Sequence, residues 1–154
     1  MRWTPHATVA TIVEQNGRFL CIEEQSNSLG KLVINQPAGH VEPGESFVAA
    51  AIRETQEETG WTVQPTALLG MYVYTAPSNN ITYHRYCFIA NAITYDPDQT
   101  LDTGIEHALW LSVDELQARN DQLRSPMVLK CIKDYLAGRR FPLDFIAEQV
   151  ADTN

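Results

Sequence analysis

The stretch Gly39-His40-Val41-Glu42-Pro43-Gly44-Glu45-Ser46-Phe47-Val48-Ala49-Ala50-Ala51-Ile52-Arg53-Glu54-Thr55-Gln56-Glu57-Glu58-Thr59-Gly60-Trp61 reads as a tight loop running into a helix. Ser46 is a helix-capping residue, and Gly60 is a stop signal, so the helix is expected to run from the Ser46 cap to about Glu58. Ala49, Ala50 and Ala51 favour helix. Phe47, Ala50, Ala51 and Glu54 fall on one side of it. Glu54, Glu57 and Glu58 then fan over roughly 100° of helix surface, where like charges repel. The pair at 54 and 58 costs about 0.2–0.5 kcal/mol even when exposed. Glu57 and Glu58 also sit in the last turn, where the helix dipole disfavours a negative charge by about 0.3–1 kcal/mol. Arg53, four residues before Glu57, offsets one of the three charges. A divalent cation offsets the others, and hard carboxylate oxygens suit Mg²⁺ or Mn²⁺. The plainer alternative is a solvated acidic helix face. Gly39 and Gly44 bracket the preceding loop, where a glycine lets backbone approach a ligand. A Gly39 carbonyl is therefore a candidate metal ligand, and Glu42 and Glu45 add two carboxylates to the same neighbourhood.

Outward from this helix the chain reads mostly as strands. Ala7 to Gln15 is β-rich, Asn16-Gly17 is a hairpin turn, and Arg18 to Glu23 is the return strand. Leu32 to Ile34 is a short strand that stops at Pro37, and Ala38 to Glu45 reads as loop. Strand signals return at Ala67 to Tyr74, at Tyr83 to Tyr95 and at Ile105 to Leu111, with Pro77-Ser78-Asn79-Asn80 as a turn. Ser112-Val113-Asp114-Glu115 is a capping box opening a short helix. Ser125-Pro126 opens the last clear helix. Val128, Ile132 and Tyr135 give that helix an apolar stripe, and Gly138 ends it. One helix in the middle and two late among several strands make an α/β or α+β sandwich with a mixed sheet.

The chain has 154 residues, a length that suits one domain spanning residues 1–154. Hydrophobic residues make up 44%, enough for a globular core and too many for a disordered chain. Eleven lysines and arginines against 19 aspartates and glutamates leave a net charge of −8. So acidic a chain, whose cations cluster only at Arg139-Arg140, repels a nucleic-acid polymer. No apolar run reaches the ~20 residues that cross a bilayer, and the N-terminus lacks a leader pattern. Cys21, Cys87 and Cys131 are scattered and odd in number, which fits a reducing cytoplasm. The four histidines lack metal-ligand spacing. Neither a G-x-S-x-G elbow nor a phosphate-binding G-x-x-x-x-G-K-[ST] loop occurs.

From Gly39, the spacing of Glu45, Arg53-Glu54, Glu57-Glu58 and Gly60 resembles the Nudix box, and every fixed Gly, Glu and Arg stands in place. Thr55 stands where that family has a bulky aliphatic residue, a departure expected to affect packing behind the helix. Trp61 replaces an aliphatic. Asn35-Gln36-Pro37-Ala38-Gly39-His40, together with Leu123-Arg124-Ser125-Pro126, Tyr135, Gly138, Arg140 and Pro142-Leu143, is similar to the NudJ-type phosphatases within the family.

The resemblance implies an α/β/α sandwich with the box as loop–helix–loop. It implies hydrolysis of a small phosphoanhydride, with Mg²⁺ or Mn²⁺ as cofactor. For the NudJ type the substrates are nucleoside di- and triphosphates and pyrophosphorylated thiamine precursors. It implies Gly39, Glu54, Glu57 and Glu58 as metal ligands, Arg53 as their support, and Glu45 as a structural partner of Arg53 or of the loop. The water-activating base is expected to be Glu57 or Glu58, with Glu106 as the other candidate. Arg85, Lys31 and His40 are candidates for substrate binding, with Arg18 weaker. Tyr72, Tyr74 and Trp3 are aromatic surfaces on which a ring could stack. A non-catalytic nucleotide-binding module of the same fold is the contrasting reading, but such modules lose box carboxylates that this chain keeps. Within the enzyme class, a hydrolase of oxidised triphosphates or of ADP-ribose carries the same box. The assembly is expected to be a monomer or homodimer. The tail from Phe141 to Asn154, with apolar Leu143, Phe145 and Ile146, is expected to dock on the domain or on a neighbour.

Overall fold

The computed structural model describes residues 1–149. Seven strands and three α-helices follow in the order β1 (His6–Gln15), β2 (Arg18–Ser26), β3 (Lys31–Asn35), β4 (Ala38–His40), α1 (Phe47–Thr59), β5 (Trp61–Thr75), β6 (Thr82–Tyr95), β7 (Ile105–Ser112), α2 (Val113–Ala118) and α3 (Met127–Leu136). The sheet runs β3-β2-β1-β6-β5, with β4 added on β1 and β7 on β2. It is mixed: β1 runs parallel to β6, from His6 opposite Tyr83 to Val13 opposite Ala90, while the other pairings are antiparallel.

β1 is buried without interruption from residue 8 to 13. Its sequence lacks polar alternation because both of its faces are covered. On one face Val9 packs with Leu68 and Phe88 of the sheet and with Ala50 and Ala51 of α1. On the other, Ala10, Ile12 and Leu69 pack with Leu116 of α2 and with Cys131 and Ile132 of α3. The helices thus lie on both sides of the sheet. Thr55, fully buried on the inner side of α1, donates Oγ1 to the Ala51 carbonyl at 2.7 Å and meets Thr11 Oγ1 of β1 at 3.0 Å. The hydroxyl that departs from the aliphatic pattern is therefore matched by a second hydroxyl across the layer, as a buried polar group requires.

Two segments differ from the sequence reading. Ala38–His40, read as loop, is a short strand that pairs with β1 at Thr8, Val9 and Ala10. Three residues beside a proline carry too little periodicity to announce a strand; only the partner reveals it. β5 begins at Trp61, not Ala67, and runs through Pro65. It lies at the end of the sheet path, where a missing N–H is tolerated, and irregularities between Thr62 and Val63 and between Pro65 and Ala67 absorb the misfit.

Beyond α3 the tail docks on the domain. Phe141 and Leu68 exchange two backbone hydrogen bonds of 2.8 Å. Phe141, Leu143 and Ile146 pack against the cluster under α1. The Glu148 carboxylate accepts from the Phe47 N–H at the start of α1, at 3.1 and 3.2 Å. The remainder of the tail expectation, residues 150–154, lies outside the described residues. Cys21, Cys87 and Cys131 are free and buried. Among the described residues no helix is long and apolar enough to cross a membrane.

Candidate active site

Helix α1 presents the box carboxylates. Ser46 caps it, its side chain accepting from the Ala49 N–H at 3.1 Å. Gly60 closes it in the left-handed region at φ 78°, its N–H on the Gln56 carbonyl. The segment before β7 then folds over the C-terminal end: Asp96 N donates to the Gly60 carbonyl at 3.0 Å, and Asp102 N to the Glu57 carbonyl at 3.1 Å. Carbonyls of the last turn, which have no partner within a helix, are satisfied in this way. The same docking places the Asp102 side chain beside the helix. Carboxylate oxygens of Glu54, Glu57 and Asp102 lie within 4.8 Å of one another. Three hard oxygen donors this close repel unless a cation joins them, and their chemistry fits a hard divalent ion.

Arg53 is the hub. Its Nε and Nη2 clasp both oxygens of Glu45, at 2.7 and 2.9 Å. Nη1 donates to Glu54 at 2.9 Å and to Glu57 at 3.2 Å, and Nη2 also reaches the His40 carbonyl at 3.1 Å. Hydrogen bonding to Arg53 holds the Glu45 carboxyl below its ordinary range, and the same contacts raise Arg53 further above its own. Burial raises the Glu54 carboxyl despite its contact with Arg53.

Glu58 sits elsewhere. It is 6% exposed, turned inward, and accepts from the Ala38 N–H of β4 at 2.8 Å. Burial, reinforced by Glu24, Glu54 and Asp102, pushes it up to about 9. It is therefore not one of the three convergent oxygens, although it lies within their electrostatic reach. Gly39 explains itself by contact: a Cβ at this position would overlap the Glu54 carboxyl.

Beside Gly39 opens a cleft of about 270 Å³, whose lining includes Glu24, Asn35, His40, Tyr83, Arg85 and Arg124. Arg85 lies on its floor, 8% exposed. His40 stands at the rim, its Nε2 2.9 Å from His6 Nδ1; burial, His6 and Arg124 hold it below its ordinary value. Glu24 pairs with Arg124 at 2.9 Å and is nevertheless raised by burial. Tyr74 also lines the cleft.

Other candidates fall outside. Lys31 donates Nζ to the Asp121 carbonyl at 2.9 Å and is not among the residues that line the cleft. Arg18 pairs with Glu115 at 2.8 Å. Glu106 is exposed near the start of β7 and is not among the convergent carboxylates. Tyr72 is buried, with its hydroxyl on Asp134 at 2.8 Å, and Trp3 is 66% exposed, edge-on to His84. Sequence reasoning missed Asp102, which has no motif around it and joins the site through its N–H on the Glu57 carbonyl, in a segment that Gln99 also ties to Gln56 of α1.

The chain is similar to known proteins over nearly its whole length. Residues 3–131 match the NUDIX domain model. The chain is 42% identical over 145 residues to the phosphatase NudJ of Escherichia coli O1:K1, covering 94% of this chain and 92% of the relative. The Shigella flexneri phosphatase NudJ matches to the same extent. Among solved structures, a NUDIX hydrolase from Nitrosomonas europaea superposes with TM-score 0.93 and 44% identity, covering 97% of this chain and all of that one.

Proposed function

The chain belongs to the Nudix family of phosphohydrolases, and on that footing we propose a Mg²⁺- or Mn²⁺-dependent enzyme that cleaves nucleoside di- and triphosphates or pyrophosphorylated thiamine precursors. One observation carries the metal dependence: Glu54, Glu57 and Asp102 converge on a single point beside the cleft that Gly39 and Arg85 line. The substrate class rests on the likeness to NudJ phosphatases over nearly the whole chain.

In this reading Glu54, Glu57 and Asp102 would hold the cation, with the Gly39 carbonyl as a further oxygen donor and Glu58, now on the Ala38 N–H, as a fourth candidate carboxyl. A divalent ion bound there supplies neutralisation of the phosphate charge and a more acidic water. Arg53 aims Glu54 and Glu57 and relieves their mutual repulsion, and Glu45 orients Arg53. Glu57 or Glu58, both on the last turns of α1, would take the proton of the attacking water, Glu58 only with a cation beside it to offset the burial that raises its carboxyl. Arg85 and His40 face the substrate from the cleft floor and rim. This reading assigns no role to Lys31, which is not in the cleft lining, or to Glu106, which is not among the convergent carboxylates.

The test is release of phosphate or pyrophosphate in Mg²⁺, Mn²⁺ or EDTA. The panel holds nucleoside di- and triphosphates, thiamine pyrophosphate, its pyrimidine precursor and ADP-ribose. The wild type is expected to hydrolyse in metal and not in EDTA. Glu58→Gln retains the acceptor for Ala38 N–H, so it is expected to fold while turnover falls by about a hundredfold or more. Full activity in EDTA would defeat the metal assignment, and full activity of Glu58→Gln would remove Glu58 from the site.

A further inference from the structure

The cleft floor holds a cation whose surroundings are unusual. Among the described residues no carboxylate forms an ion pair with Arg85. Its contacts are two neutral amides and a thiol: Nη2 donates to Asn35 Oδ1 at 2.7 Å, and Nη1 to Gln36 Oε1 at 3.0 Å and to Cys131 Sγ at 3.6 Å, a thiol that Cys87 and Arg85 hold below its ordinary value. Glu24, the nearby carboxyl, is engaged by Arg124. A buried cation without a counter-ion is costly, so this one is arranged for an anion that arrives with a ligand.

The two amides are themselves fixed. Gln36 is 1% exposed, and its Nε2 donates to the Val128 carbonyl of α3 at 2.8 Å, which turns Oε1 toward Arg85. Asn35 is buried with its amide nitrogen toward the Glu24 carboxyl, which leaves Oδ1 for Arg85. Amide oxygens orient a guanidinium without cancelling its charge, as carboxylates would. Arg85 Nε has no acceptor among the described residues. No enclosed side-chain nitrogen there lacks a partner, so Nε is not sealed off, and Arg85 is a lining residue of the cleft.

We propose that Asn35 and Gln36 are positioning residues that aim the Arg85 guanidinium into the cleft, where its free N–H groups receive a phosphoryl group of the substrate. The proposal rests on the phosphoanhydride reading above. It extends that reading to residues that touch neither the carboxylate cluster nor the reacting atoms. It also explains why an acidic protein accepts an anion here: the site keeps one positive charge out of any internal ion pair.

The test is the affinity for inorganic pyrophosphate in Mg²⁺, by calorimetry, for the wild type, Gln36→Met, Arg85→Ala and the double variant. Asn35→Ser replaces Gln36→Met should the latter not fold, as judged by its thermal transition. Gln36→Met is expected to weaken binding by about tenfold. The double variant is expected to bind within about twofold of Arg85→Ala, because the amide acts only through the guanidinium. Gln36→Glu, which sets a carboxylate against the guanidinium and gives up the donor to the Val128 carbonyl, is expected to weaken binding as well. Wild-type affinity in Gln36→Met, equal losses with and without Arg85, or no pyrophosphate binding by the wild type would overturn the proposal. Coupled binding without hydrolysis of any phosphoanhydride would defeat the hydrolase reading and leave the positioning role standing. Hydrolysis with unchanged pyrophosphate affinity in Gln36→Met would do the reverse.

Discussion

Arg53 shows how one residue organises a crowded acidic site. Its guanidinium serves Glu45, Glu54, Glu57 and the His40 carbonyl, four groups that would otherwise be poorly placed or mutually repulsive. The Arg53–Glu57 contact at i, i+4 was legible in the sequence, because helix geometry alone sets it. Asp102 was not legible, because it lies 45 positions after Glu57 and a backbone hydrogen bond brings it back. Its role is testable directly. Asp102→Asn is expected to weaken Mn²⁺ binding by about 10–100-fold, read by titration of the metal into the protein. Unchanged affinity would return Asp102 to the solvated surface. Glu58 also differs from its expected place: helical spacing put it beside Glu54, but β4 draws it inward to the Ala38 N–H.

At the scale of elements, α1 was legible from its ends. Ser46 and Gly60 do the capping that their chemistry suggests, and the helix runs one residue beyond the expected Glu58. Gly60 is needed twice over, for its φ of 78° and because a Cβ would come within 2.8 Å of the Asp96 carbonyl. Gly60→Ala is therefore expected to lower unfolding stability by about 1–2 kcal/mol, measured by urea denaturation. A loss near zero would mean that the helix end relaxes freely. β4 and the first third of β5 were not legible. A three-residue strand has no period of its own, and Pro65 reads as a break unless the strand is known to lie at the end of the sheet path. The β1–β2 hairpin, by contrast, needed only Asn16-Gly17 between two β-rich runs.

In the whole molecule, stability and site share the Arg53–Glu45 pair, since the same guanidinium fastens the loop to α1 and holds the Glu54 and Glu57 carboxylates. Hydrogen bonding to Arg53 depresses the Glu45 carboxyl from its ordinary 4.5. A folded-state value below the unfolded one stabilises the protein above about pH 4.5, and that contribution is lost as pH falls through the depressed value. In EDTA, Glu45→Gln is expected to have a lower urea midpoint than the wild type at pH 6, with the gap closing by about pH 3. A gap that persists at pH 3 would mean that packing, not charge, is what the variant loses. The tail adds a second constraint that spans the fold, joining Leu68 on the sheet and Phe47 on α1 through Phe141 and Glu148. By itself the sequence determined the box helix, its caps, most strands and the acidic character of the site, because each depends on contacts within a few residues along the chain. Only the tertiary structure decided that Asp102 joins Glu54 and Glu57, that Glu58 turns inward, that Thr55 finds Thr11, and that Arg85 is held by neutral amides. Those outcomes depend on which distant backbone segments dock together, and local spacing carries no record of that.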